Sequence, residues 1–197
     1  MSTIIKADLF RHAGLSGVMG FLRGWYKPGF RYTFLFRRIT EMNRYSPLRL
    51  FYKFLRRRYR FKYGYEIDLA AQIGEGFYLS DHCGPVIIGP IKIGKHCNIA
   101  HSVTIGRTHK YGERGRPTIG DRVWIGSGCV LAGKITIGSN VMISPNSFVN
   151  FDVPDHSIVI GNPGKIISKE NPTEYYITYI LGEKQKVFSE SKKGAVV

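Results

Sequence analysis

At residues 80–89 the chain reads "SDHCGPVIIG", with an acidic residue and an imidazole side by side, Asp81-His82, at the head of an aliphatic run. Imidazole titrates close to neutral pH, so a histidine placed against a substrate can take a proton from a hydroxyl or thiol. The same dipeptide at a solvated turn would have no chemical role. The remaining histidines stand in weaker settings. His101 lies in "IAHSVTIG", His109 in a long polar loop and His96 at what reads as a solvated turn, while His12 and His156 belong to no motif. Cys83, Cys97 and Cys129 are too far apart for a CxxC knuckle and odd in number, so reduced thiols are expected and a metal site is not.

The elements that must position Asp81 and His82 are written in a six-residue period. Aliphatic residues recur at Ile67, Ile73, Leu79; at Ile87, Ile93, Ile99, Ile105; and at Ile119, Ile125, Leu131, Ile137, Ile143, Val149. Glycine often follows, as at Gly74, Gly94, Gly106, Gly120, Gly126 and Gly138. Neither a helical period nor simple alternation accounts for this spacing. A hexad with one inward aliphatic and one small neighbour specifies a parallel β-helix, three short strands to the coil. The period breaks before Ile87 and again between Ile105 and Ile119, where "GRTHKYGERGRPT" intervenes. Interruptions of a solenoid become surface loops, which often carry function, and His82 and Arg116 both fall at such breaks.

Charge divides the 197-residue chain unevenly: of the formal +15, the first 66 residues hold +12 and the rest +3. The basic part is also aromatic. In "SPLRLFYKFLRRRYRFKYGY", Leu48, Phe51, Tyr52, Leu55 and Tyr59 fall at helical spacing, with Ser46 as N-cap and Pro47 in the first turn. Such a helix is either a solvated face or a platform for an anionic membrane or an acidic polymer. No zinc-finger, RNP or helix-turn-helix pattern points to nucleic acid. The N-terminus lacks the features of a secretory signal and no window approaches ~18 uninterrupted apolar residues, so a cytoplasmic chain is expected, with peripheral contact at the inner face of the membrane as the further expectation. The reading is of a mainly β protein in three parts: a basic helical segment (1–64), a β-helix (65–169) and a tail (170–197), of which 175–181 should pack as helix or strand and the last residues fray.

Residues 63–167 resemble the hexapeptide-repeat, left-handed β-helix acyltransferases. The likeness rests on "YGYEI" before the first hexad, "DH" before an aliphatic run, "VTIGRTHKYGERGRPTIGD" across the loop and "IGNPGKII" at the close. It is nearest to serine O-acetyltransferases and their relatives that O-acetylate capsular and surface polysaccharides. The resemblance implies a homotrimer with acetyl-CoA in the groove between neighbouring β-helices, and no metal. It makes His82 the general base toward an acceptor hydroxyl, with Asp81 orienting the ring or binding the acceptor.

The same resemblance gives Glu66 and Arg116, with Asp81, to the acceptor, and gives acetyl-CoA to Trp124, Gly126, Ser127, Pro145, Asn150 and Lys165, the lysine toward the nucleotide phosphates. The chain departs from the serine enzymes in their "GGDRHPKI" loop, where the arginine and histidine are replaced by Gly115 and Arg116. A free amino-acid carboxylate favours a guanidinium fork in a set position. The expected acceptor is therefore a sugar hydroxyl of a surface polysaccharide or its lipid-linked precursor, with serine as the alternative. A non-catalytic β-helix assembly module with a membrane-binding basic segment is the competing class.

Overall fold

An inward aliphatic at every sixth position, followed by a small residue, allows strands of only two or three residues before the chain must turn. The computed structural model, which describes residues 1–108 and 115–183, builds a three-sided parallel β-helix from such strands. Face A stacks β1 (Tyr65–Ile67), β4 (Val86–Ile88), β7 (Thr104–Gly106), β10 (Val130–Ala132) and β13 (Phe148–Val149). Face B stacks β2 (Gln72–Ile73), β5 (Lys92–Ile93), β8 (Thr118–Ile119) and β11 (Thr136–Ile137). Face C stacks β3 (Tyr78–Leu79), β6 (Asn98–Ile99), β9 (Trp124–Ile125), β12 (Val141–Ile143) and β14 (Ser157–Ile160), and the antiparallel β15 (Lys165–Ser168) closes it.

Register places one aliphatic ladder inside each face. Ile67, Ile88, Ile105, Leu131 and Val149 line face A, and Leu79, Ile99, Ile125, Ile143 and Val159 line face C, all buried. The ladder member expected at Ile87 is Ile88. The turn before β4 is longer than a hexad, and a slip of one residue in a strand sends its side chain to the other side. Ile87 consequently points outward, 45% exposed. The two breaks in the period occupy different corners: residues 80–85 join face C to face A, and residues 107–117 join face A to face B.

The basic segment forms α1 (Thr3–Phe10), α2 (Gly17–Trp25), α3 (Pro28–Glu41) and α4 (Pro47–Tyr63). Proline begins α3 and α4, where its missing N–H costs nothing, and Gly64 ends α4 in the left-handed region at φ 78°. These helices are fastened to the β-helix rather than appended to it. Arg37 of α3 and Asp8 of α1 form a buried pair at 2.8 Å. Arg37 also donates to the carbonyls of Ile73 and Gly74 (2.5 and 2.6 Å), while Asp8 accepts the Phe77 N–H at 2.8 Å. The pair thus closes the first coil.

Residues 169–183 pack without forming helix or strand, unlike the expectation for 175–181. Ile177 and Ile180 are buried, Tyr176 lies against Trp124, and Asn98 donates to the Tyr176 carbonyl at 3.0 Å. Arg11 reaches Asn98 and the Thr178 carbonyl, so the tail and the end of α1 together cover face C. The last residues, 184–197, whose fraying was expected, lie outside the described part. Face A stays bare. Its outward row runs Glu66, Ile87, Thr104, Val130, Phe148, with Val130 37% exposed.

Candidate active site

The corner between β3 and β4 is held from beneath by a buried phenol. Tyr65 donates to the Ser80 carbonyl at 2.8 Å and approaches the His82 carbonyl at 3.4 Å, and burial pushes its own pKa up. Ser80 Oγ accepts the His82 N–H at 3.2 Å. With its backbone fixed on both sides, His82 projects an exposed ring that makes no hydrogen bond among the described residues. One coil higher, the half-buried His101 meets it edge-on, ring centres 6.0 Å apart and planes at 77°. An exposed imidazole with free nitrogens, on an immobilised backbone, is the arrangement a general base requires.

Asp81 does something other than orient that ring. Its carboxylate accepts the Gly29 N–H at 3.2 Å and lies 3.5 Å from Lys27 Nζ and 3.4 Å from His12 Nδ1, the last an ion-pair separation rather than a close hydrogen bond. Burial by itself would raise the Asp81 pKa, but His12, Lys27 and the Gly29 N–H outweigh it and hold the pKa below the ordinary carboxylate value. Asp81 therefore ties the His82 corner to the start of α3. That contact depends on Gly29, where a Cβ would stand 2.0 Å from the Leu79 carbonyl oxygen. Only glycine lets the helix come down onto this corner.

The proposed acetyl-CoA residues separate into two sets. Gly126, Ser127 and Pro145 lie on the same C–A corner as His82 and His101, one coil above another, and Lys165 begins β15 at that edge of face C, opposite Ile160. Gly126 is buried beneath Pro145, whose nitrogen lies 2.6 Å from where a Cβ would be. Lys165 is exposed five strand spacings along face C from His82, roughly 24 Å at a strand spacing of ~4.8 Å. A file of small and backbone groups leading from an imidazole to a cation fits an extended thioester with an anionic far end. The other residues do not join this file. Trp124 belongs to face C, where Tyr176 covers it at a ring separation of 4.9 Å, and Asn150 lies exposed at the A–B corner.

Of the acceptor residues, Glu66 stands on the outer side of face A paired with Arg60 at 2.9 Å, and Arg116 is exposed at the A–B corner. One chain therefore holds His82 and Arg116 at opposite edges of face A. His109 lies outside the described residues. His96 is half-buried rather than solvated, takes φ +56° and packs over Gly76, and burial lowers its pKa. Cys83, Cys97 and Cys129 are free, and among the described residues no three His, Cys, Asp or Glu side chains converge on a metal position. The sequence reading passed over His12, Lys27 and Gly29 because their partner is 50 to 70 residues away. Tyr65 did have a local signal, since it stands inside "YGYEI".

Fold and corner together define a class, the parallel β-helix transferases built on hexads with a histidine at a coil corner. Comparison with known proteins gives the nearer relationship. Residues 116–150 match the family model described as bacterial transferase hexapeptide (six repeats). A serine acetyltransferase of Helicobacter pylori is 38% identical over 111 residues, 56% of this chain and 65% of the relative. The Neisseria gonorrhoeae serine acetyltransferase, solved in complex with serine, superposes with a TM-score of 0.67 at 30% identity, over 84% of this chain and 68% of that one. A serine acetyltransferase of Brucella abortus, solved in complex with coenzyme A, gives 0.68 at 26% identity, over 84% and 67%. The chain belongs to the hexapeptide-repeat transferases. It spans just under two thirds of the Helicobacter relative's length. These relatives are serine acetyltransferases, the enzymes of the alternative expectation, rather than the polysaccharide enzymes expected first.

Proposed function

We propose that the protein transfers the acetyl group of acetyl-CoA to the hydroxyl of serine, with His82 as general base. The observation that carries the reading is the free, exposed imidazole of His82 at a coil corner of a β-helix that superposes on serine acetyltransferases. A free nitrogen of His82 takes the hydroxyl proton as the oxygen bonds to the thioester carbonyl carbon. Collapse of the tetrahedral adduct breaks the carbon–sulfur bond, and the imidazolium returns its proton to the departing thiolate. The products are the O-acetyl ester and CoA, with no acyl-enzyme between them. Gly126, Ser127, Pro145 and Lys165 line the path of the CoA arm, and Asp81 acts by fixing the corner.

The reading extends to a homotrimer. Face C is covered by the chain itself and the exposed row of face B is polar (Gln72, Lys92, Thr118, Thr136), so the more apolar row of face A is the side offered to a neighbour, and a neighbour seated there would bring an A–B edge toward a C–A corner. Arg116 and the loop it ends would then serve the acceptor from the adjoining copy, with Glu66 nearby.

One departure favours a second reading. Gly115 replaces the arginine of the serine enzymes' loop, leaving Arg116 one position away from where a carboxylate fork is wanted. A sugar hydroxyl of a surface glycan makes no such demand. Release of CoA thiol by the purified protein, with serine and a glycan acceptor supplied separately and in competition, decides between them. Serine-dependent release is expected. Release with the glycan alone would transfer the activity to the sugar reading, and absence of acetyl-CoA binding by calorimetry would leave an assembly module.

A further inference from the structure

Helix α4 has two apolar sides, and only one is used for folding. Tyr52, Leu55, Tyr59 and Tyr63 turn inward, with Tyr52 6.4 Å from Phe34 and Tyr59 stacked on Tyr63 at 5.4 Å. Leu50, Phe54 and Phe61, at i, i+4 and i+11, share the opposite side and are 67%, 65% and 74% exposed. Phe51 stands beside them, also exposed.

Basic residues flank this outward stripe. Helix α4 carries seven Lys and Arg and no Asp or Glu. Arg49 and Arg56 donate to the carbonyls of Ile39 and Ile67 and Arg60 pairs with Glu66, but Lys53, Arg57, Arg58 and Lys62 have no ion pair among the described residues. Nearby, Tyr52 of α4 and Val18 of α2 both line a cavity of about 580 Å³ with Ile5, Leu9 and Phe21, and with Lys6 in its wall. Val18, Met19 and Leu22 of α2, a helix also without acidic residues, are exposed at this end.

We infer that the outward side of α4, with the exposed end of α2, is a docking surface for an anionic lipid bilayer. Bulky side chains enter the interface while Lys53, Arg57, Arg58 and Lys62 lie among the headgroups, and the cavity between the helices admits part of an acyl chain. A second copy of this chain fits the stripe poorly, since two such helices would set uncompensated like charges against each other. No helix of the described residues is long and apolar enough to cross a membrane.

Flotation of the full chain with vesicles tests the inference independently of its enzymatic activity. Vesicles of one part phosphatidylglycerol to three of phosphatidylcholine should carry the protein at low salt, and phosphatidylcholine alone should not. Arg57→Gln with Arg58→Gln should weaken partitioning roughly tenfold or more, and Phe54→Ser with Phe61→Ser should weaken it at least as far. Circular dichroism of both double variants should match the parent, because all four side chains are exposed. The inference is overturned by absence of flotation with the anionic vesicles, or by flotation that neither variant reduces. It is also overturned if Phe54→Ser with Phe61→Ser lowers the protein's mass by light scattering without lipid, which would make the stripe a contact between copies.

Discussion

His82 and Asp81 are adjacent in the chain but act in different places. His82 faces solvent beside His101, and Asp81 faces the start of α3 through Gly29, Lys27 and His12. Removing the base should cost the reaction far more than binding. His82→Ala is expected to lower kcat about 10²- to 10⁴-fold while calorimetric affinity for acetyl-CoA stays within about twofold of the parent. The acid behaviour of Asp81 follows from its lowered pKa. A carboxyl group held below its unfolded value adds stability above about pH 4, and that stability is lost as pH falls through the lowered folded value. The parent should therefore lose more denaturation free energy than Asp81→Asn when both are titrated from pH 6 down to about pH 3. Equal slopes would show that the carboxylate does no work in the fold.

At the scale of elements, a helical segment read as a separate part turns out to be the support of the corner. Two joints do this. Gly29 lets α3 touch the Leu79 carbonyl, and the Asp8–Arg37 pair locks α1 and α3 onto the first coil through Ile73, Gly74 and Phe77. Asp8→Ala leaves the buried guanidinium without its counter-charge, so chemical denaturation should show a loss of about 3–5 kcal/mol. Gly29→Ala should lift α3 from the corner and depress kcat by about tenfold or more at saturating acetyl-CoA, a loss that tight packing elsewhere does not repair. The hexads made the β-helix legible because each strand's inward residue is set by local spacing. They misassigned Ile87 because the turn before it is longer than the period. The apolar side of α4 was legible for the same local reason, but Leu48 and Phe51 of that expected side are exposed.

Two sides of the β-helix are uncovered: face B, whose outward Gln72, Lys92, Thr118 and Thr136 are polar and exposed, and the more apolar face A. Face C lies under the tail and the end of α1, and face A presents Ile87, Thr104, Val130 and Phe148 to whatever approaches. If three copies meet there, a lysine in the row puts an unpaired charge in a desolvated contact. Ile87→Lys is expected to reduce the mass measured by light scattering from three chains to one, and to remove acetyl transfer while preserving the circular dichroism of the β-helix. An unchanged trimer would place the assembly contact on another face.

The sequence by itself determined the β-helix, the two corner loops and the histidine at the first of them, because hexad spacing, glycine placement and chain interruption are local properties. Only the tertiary structure decided what each polar group touches. The carboxylate of Asp81 went to the turn after α1 and the start of α3, 50 to 70 residues earlier, Trp124 went under the tail, and α4 kept a second apolar side in the open. Each of these depends on which distant segment reaches a face first and excludes water from it, and no spacing along a single strand or helix encodes that.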